Sequence, residues 1–441
     1  MPAKSAKKRL PPMFRALRYR NYRLFFTGQI ISLVGTWMQL VAQAWLVYRL
    51  TGSSLLLGVV AFASQIPVFV LSPVGGMIAD RYRRHRIVII TQSSAMTLAL
   101  ILAGLTLAGR IRVWEILALA AILGVVSAFD VPARQAFVVE MVDPPDLINA
   151  IALNSSMVNS ARILGPAIAG ILVAAVGEGW CFLANGVSYI AVIACLLSMV
   201  LAPHPLRKAA SGLESIKEGF RFVGRTGPIR ALLLLLGVVS LTGMPYTVLM
   251  PIFAGDVLHS GAKGLGWLMG ASGVGALAGT LVLAAKRQIR GLGRWVTYAA
   301  LGFGGSMIIF SFSRSFLLSA ALLVPVGFSM MLQMASSNTL IQTMVPDDLR
   351  GRVMAFYSMM LLGMAPFGAL FAGAVANRLG APITVAIGGV ICLGGAAIFG
   401  RRWPGLRAEA RQLILAQSMS SGEPPEEITG QAVQYTQKER D

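Results

Sequence analysis

The chain has 441 residues, 56% hydrophobic and only 13% charged, with a mean hydropathy of +0.71. A soluble domain carries about 25% charged residues, so a soluble globular fold is excluded. The net charge of +20 would suit a nucleic-acid partner or a membrane protein with cationic loops on one side.

The basic tail, residues 1–23, contains "AKSAKKRLPPMFRALRYRNYR" and precedes an apolar run with no small-residue cleavage site, which reads as an uncleaved signal anchor. Crossing about 30 Å of hydrocarbon takes roughly 20 apolar residues. Runs of that kind fall at 24–48, 50–79, 87–109, 179–203, 231–255, 264–285, 295–313, 315–346, 353–377 and 379–400. Two more, at 114–138 and 148–176, are interrupted by Asp130 and Arg134 and by Arg162. The expected fold is an all-α membrane protein with twelve transmembrane helices in two six-helix repeats. Its parts are a first bundle over 24–203, a central loop over 204–230, a second bundle over 231–402 and a partly disordered C-terminal tail over 403–441.

In the central loop, Ile216, Phe220 and Val223 share one helical face and Lys217, Arg221 and Arg225 another, the pattern of a short helix lying on a lipid leaflet. Of the 38 Lys and Arg, only Arg49, Arg110, Arg112, Lys263, Arg314 and Arg378 fall on the side away from the termini, and Arg162 stays within the membrane. That asymmetry puts both termini in the cytoplasm and argues against a nucleic-acid partner. Trp45, Trp114, Trp180, Trp267, Trp295 and Trp403 sit near the ends of the runs, where amphipathic rings prefer to lie. Cys181, Cys195 and Cys392 all fall within apolar runs, so neither a disulfide framework nor a metal site is expected.

The halves read as a repeat. "MVDPPDLINAIA" at 141–152 matches "MVPDDLRGRVMA" at 344–355, and each leads into a helix with a central proline, Pro166 or Pro366. Gly76 with Arg83 and Arg84 aligns with Gly279, Lys286 and Arg287. Parallel six-helix repeats are the layout of transporters whose site lies between the halves at mid-membrane.

Between two of the apolar runs, "GGMIADRYRRHR" combines a small residue for close helix approach, an acid and a burst of cations suited to an anionic leaflet. It resembles the loop 2–3 signature of the major facilitator superfamily through Gly76, Asp80, Arg81 and Arg84, with Arg83 where that family usually has glycine and His85 where it has Lys or Arg. The resemblance implies that the loop, through Asp80 and Arg81, latches the halves in the outward-facing state. "NSARILGPAIAG" at 159–170, with Gly165, Pro166 and Gly170, is similar to the Gly-Pro signature of antiporter branches; proline frees a carbonyl and glycines allow tight helix contact. The stretches "LRYRNYRLFFTGQIISLVGTWMQLVAQAWLVYRLTGSS" and "SQIPVFVLSPVGGMIADRYRR" extend the resemblance to the transmembrane secretion effector branch that includes enterobactin-exporter-like proteins. Export is what it implies.

Gln29, Ser32, Thr36, Gln39 and Gln43 recur at helical spacing and form one polar face of the first helix, lining a water-filled path or bonding neighbouring helices. On the tenth helix Gln333, Ser336, Ser337 and Gln342 lie among Met330, Met331 and Met334, with Met354, Met359, Met360 and Met364 on the next; such a wall suits a bulky, partly apolar ligand or ordinary packing. Asp130 and Arg134, four apart, form an ion pair or a proton-coupling site. Arg162, near mid-membrane, faces the cavity or bonds Asp130, Asn159 or a carbonyl.

His85, His204 and His259 all lie at loops or helix ends, and no nucleophile–base pair or phosphate loop is visible, so an enzyme is not expected. The expected function is export of an amphipathic small molecule, a siderophore or drug-like compound, by alternating access with proton antiport. Import of a polar nutrient and a non-transporting membrane scaffold are the alternatives. The expected partners are the cargo, protons and membrane lipids, with no cofactor; the expected form is a monomer in a bacterial inner membrane.

Overall fold

The computed structural model describes residues 12–200, 212–286 and 291–420. Among them every regular element is helical, and twelve segments are long and apolar enough to cross a membrane. In hydrocarbon each backbone polar group needs a partner within its own element, and the helix supplies it. The first half consists of α1 (Arg20–Thr51), α2 (Ser54–Arg81), α3 (Arg84–Leu107), α4 (Val113–Val138), α5 (Leu147–Val176) and α6 (Glu178–Leu197). After the short α7 (Gly212–Arg225), the seventh membrane segment passes through α8 (Gly227–Val238) and α9 (Tyr246–Ile252), with π-helical turns at Val239–Gly243 and Phe253–Val257. Then follow α10 (Gly261–Ala285), α11 (Leu292–Phe312) and α12 (Phe316–Met344). The eleventh segment is α13 (Asp347–Ser358), a π turn at Met359–Gly363 and α14 (Ala365–Leu379); α15 (Ala381–Ser420) closes the second half.

The repeat is visible in the backbone. Single glycines join α5 to α6 and α14 to α15, Gly177 at φ 94° and Gly380 at φ 84°, a region that glycine alone enters without strain. Their spacing in sequence is the one that relates Gly76 to Gly279 and Met141 to Met344.

Two boundaries differ from the sequence reading. The seventh segment starts at Gly227, with Pro228 in its first turn, where a missing N–H costs nothing. The tail division at 403 falls inside α15, which continues through Pro404 to Ser420. Trp403 packs on Gly293 of α11, and Glu409 Oε1 accepts the Gly227 N–H at 3.2 Å. The last turns of α15 thus cap the start of α8.

The face of α7 that meets the second half is Gly219, Phe222 and Val223, continued by the buried Thr226 just beyond the helix, while Phe220 stays 69% exposed. Glu218 pairs with Arg352 of α13, and the Phe220 and Phe356 rings lie 6.1 Å apart. The side chains of Ile216 and Lys217 lie outside the described residues. At the matching place in the first half, a 3-10 helix, Pro12–Arg18, docks on the start of α5. There Ala16 N–H donates to Asn149 Oδ1 at 2.8 Å, Arg18 pairs with Asp146 at 2.7 Å, and the Tyr19 hydroxyl lies 2.9 Å from both Asp143 and Asp146.

The halves meet along two seams, α5 against α10 and α2 against α14. Glycines make both possible. A Cβ on Gly170 would stand 2.8 Å from Gly266 Cα, and one on Gly58 would stand 2.6 Å from the Ala369 carbonyl. The tightest contacts lie toward the end remote from the termini, where Tyr48 OH also donates to Asp256 Oδ1 across the halves.

Candidate functional site

Asp130 and the half-buried Arg134 of α4 anchor a hydrogen-bonded network that leaves Gln29 Nε2 and Gln92 Oε1 without partners. Asp130, 8% exposed, accepts from Thr91 Oγ1 at 2.8 Å and Gln92 Nε2 at 2.9 Å on α3, and its other oxygen pairs with Arg134 Nε at 3.2 Å. Arg134 Nη1 donates in turn to Gln29 Oε1 on α1 at 3.3 Å. Burying a carboxylate is costly without such partners. Here three helices are tied through one acid. Thr91 and Gln92 escaped the sequence reading; their signal is a polar pair inside "IVIITQSSAM".

The polar stripe of α1 is turned largely into its own half. Gln29 and Ser32 are buried. Thr36 Oγ1 donates to the Ser32 carbonyl at 2.9 Å and lies 3.4 Å from Tyr189 OH on α6. Gln39 Oε1 accepts from Asn185 Nδ2 at 2.7 Å, and Gln43 is half-buried. A Cβ at the intervening Gly35 would stand 2.5 Å from Asn185 Oδ1, so α1 and α6 approach closely and bond across the contact. The lone carboxamide of "CFLANGVSYI" is the signal that marks Asn185.

On α12 Gln342 Nε2 donates to Asn338 Oδ1 at 3.0 Å, but the deeper polar groups have no partners. Gln333, Ser336 and Ser337 are 0–1% exposed, and both amide atoms of Gln333 and both serine hydroxyls lack a hydrogen bond. Thr339 on the same helix returns its hydroxyl to the Ala335 carbonyl at 3.0 Å; the two serines do not. Met330 is buried beside them and Met359 is 40% exposed.

Arg162 sits in the middle of the 30-residue α5, about 22 Å from either end at helical rise. None of its expected protein partners engages it: Asp130 is bound as described, and Asn159 Nδ2 donates to the Ser155 carbonyl at 3.0 Å. Its guanidinium carbon lies 5.2 Å from the centroid of the Trp37 ring of α1, and its buried Nε has no acceptor. The neighbouring Ile163 packs at Gly273 of α10. Arg162 therefore stands where the halves meet. In the same motif, Gly165 rests on Trp37 and Met38 of α1, whereas Gly170 and the Pro166 carbonyl meet Gly266 of the other half.

Loop 2–3 is centred on Arg84, which bonds Asp80 Oδ1 at 3.4 Å, Glu140 Oε1 at 3.1 Å and the Ala136 carbonyl at 3.2 Å. These are all contacts within the first half. Asp80 and Arg81 are exposed, and a Cβ at Gly76 would meet open space.

Twelve membrane helices in two repeats, with two glycine seams between them and polar groups at mid-membrane, define a multi-pass transporter of the major facilitator fold. The chain matches the family described as transmembrane secretion effector over residues 12–423, and it belongs to that family. It is 28% identical to the staphyloferrin A transporter of Staphylococcus aureus, covering 84% of this chain and 94% of that one. It is 28% identical to the multidrug efflux pump Tap of Mycolicibacterium fortuitum, covering 78% and 87%, and 26% identical to the enterobactin exporter EntS of Shigella boydii, covering 75% and 79%. Among solved structures the nucleoside transporter NupG superposes with a TM-score of 0.67 at 11% identity over 87% of this chain and 99% of that one, which shows the shared fold.

Proposed function

We propose that the protein exports an amphipathic small molecule, a siderophore or drug-like compound, by alternating access. It does so as a monomer in a bacterial inner membrane with both termini in the cytoplasm, driven by proton antiport. The observation that carries this reading is the one-ended closure: glycine contacts and the Tyr48–Asp256 bond seal the end remote from the termini, while Asp80 and Arg81 at the other end bond nothing across the halves among the described residues. A loop whose cross-half partners belong to only one of two states biases the equilibrium between them, which suits Asp80 and Arg81 as latch residues. The cationic loops on the side of the termini support their cytoplasmic placement. The relatives named as siderophore and drug exporters support the direction and cargo class. Asp130 with Arg134 is the proton site this reading assigns, because it is an intramembrane acid whose bonds join α1, α3 and α4.

Metabolite profiling of a deletion strain tests the reading. The cargo accumulates in cells and disappears from the medium, and everted vesicles take it up when their interior is acidified. Asp130→Asn keeps binding and loses the dependence on the pH gradient. A metabolome that does not change, or uptake indifferent to the gradient in wild-type vesicles, refutes export or coupling respectively.

A further inference from the structure

We propose that Arg162, with Trp37 beneath it, is an anion-binding subsite and that the cargo carries a carboxylate or a similarly delocalised anionic group. The inference rests on the exporter reading and adds the charge of what is exported. An arginine stays protonated at any physiological pH, so a guanidinium at mid-membrane cannot relieve its burial by losing a proton. Charged side chains at such depth ordinarily pair with one another or with backbone carbonyls. Arg162 does neither: among the described residues it makes no ion pair or hydrogen bond, and its Nε is enclosed without an acceptor.

The contrast with Arg134 is direct. That arginine, on the neighbouring α4, has Asp130 and Gln29. The Trp37 ring at 5.2 Å holds the guanidinium by one face, an arrangement that leaves the hydrogen-bonding edge free for a planar anion. The depth, about 22 Å from either helix end, is too great for a phospholipid headgroup. The position next to Ile163, which touches Gly273 of α10, means that a ligand bridging to the second half would feel the relative motion of the halves. Among the described residues no acid is paired with Arg162, and Asp130 is already bonded to Thr91, Gln92 and Arg134.

The test uses full-length protein in nanodiscs and three probes of one shape: 2-naphthoate, the neutral 2-naphthamide and the cationic 2-naphthylmethylammonium, titrated by calorimetry. Wild type binds the carboxylate at least about ten-fold more tightly than the amide, the size expected of one charge-assisted hydrogen-bonded contact, and binds the cation least. Arg162→Gln, checked for an unchanged melting profile, abolishes the preference, and Arg162→Lys keeps part of it. Equal affinity of wild type for the three probes overturns the proposal even if Arg162→Gln does not fold, and so does a preference that survives in well-folded Arg162→Gln. Failure here with a cargo found by metabolite profiling removes the anion subsite and leaves export standing. A carboxylate preference with no exported metabolite leaves the subsite and removes export.

Discussion

The two halves share a fold but differ in how their fourth helices are held. The repeat spacing that joins Gly177 to Gly380 and Met141 to Met344 carries Asp130 to Gln333 and Arg134 to Ser337. In the first half this position is a buried ion pair bonded to two other helices. In the second it is a neutral amide and a hydroxyl with no partners. The backbone differs in the same sense. The three π-helical turns among the described residues, Val239–Gly243, Phe253–Val257 and Met359–Gly363, all lie in the second half, and two are joined by a bond from Ser240 Oγ to the Leu361 carbonyl at 2.5 Å. Such turns leave helical carbonyls without their usual partners and often mark functional positions. The halves thus divide at this position: the first is cross-bonded from α4 to α1 and α3, and the second is not.

The largest expected effect tests that division. Removing one member of a buried ion pair typically costs about 3–5 kcal/mol, so Asp130→Ala, which strands Arg134, lowers the melting temperature of the purified protein sharply. Replacing groups that are already unbonded costs little, because an unsatisfied buried polar group is itself a penalty of about 1–3 kcal/mol. Gln333→Met therefore melts at or above the wild-type temperature. Equal losses at the two positions would erase the distinction between the halves.

The seams come next. They are related by the repeat, α5 on α10 and α2 on α14, and both depend on glycine, since added Cβ atoms at Gly58 and Gly170 would come within 2.6 Å and 2.8 Å of backbone atoms of the other half. Gly58→Val and Gly170→Val each prise open the sealed end. Transport falls about ten-fold or more if the closed seam is disfavoured by some 1.4 kcal/mol, and thiol labelling of a cysteine placed at Ser54 becomes faster. A transport defect at one seam alone would show that the two are not equivalent in the cycle.

Composition and periodicity were enough for the helices, because a charge-free run of about 20 residues has one stable fate in hydrocarbon. The repeat was legible as well, through residues as particular as "MVDPPDLINAIA" and "MVPDDLRGRVMA". Partners were not legible. Helical spacing put Gln39 and Thr36 on one face, but which neighbour that face meets depends on how α1 and α6 cross, and that crossing is what pairs them with Asn185 and Tyr189. The end of α15 was hidden for a related reason: polar residues after Arg401 look like a tail until Trp403 finds Gly293 and Glu409 finds Gly227. Arg162 was conspicuous from the start, but that it has no ion pair or hydrogen bond among the described residues is a fact of packing.

The smallest expected effect concerns the clasps at the membrane surface, where the halves use the same device with opposite signs. Before the first half a basic segment grips acids at the start of α5, Arg18 on Asp146; before the second an acid on α7 grips a base on α13, Glu218 on Arg352. The first clasp also contains a phenol. Tyr19 OH faces Asp143 and Asp146, and burial, then those carboxylates, push its pKa above the ordinary tyrosine value despite the opposing pull of Arg18. A folded-state pKa that lies above the unfolded one stabilises the clasp fully below the ordinary value, about 10, and the benefit disappears as pH rises through the higher folded value. Hydrogen exchange around Pro12–Arg18 and the start of α5 should therefore quicken, beyond its intrinsic acceleration by base, once the pH passes 10. Exchange at the Glu218–Arg352 contact should follow only the intrinsic acceleration, since an arginine stays charged there. Tyr19→Phe removes the difference, and loosening of both clasps together would mean that the phenol does not hold the first.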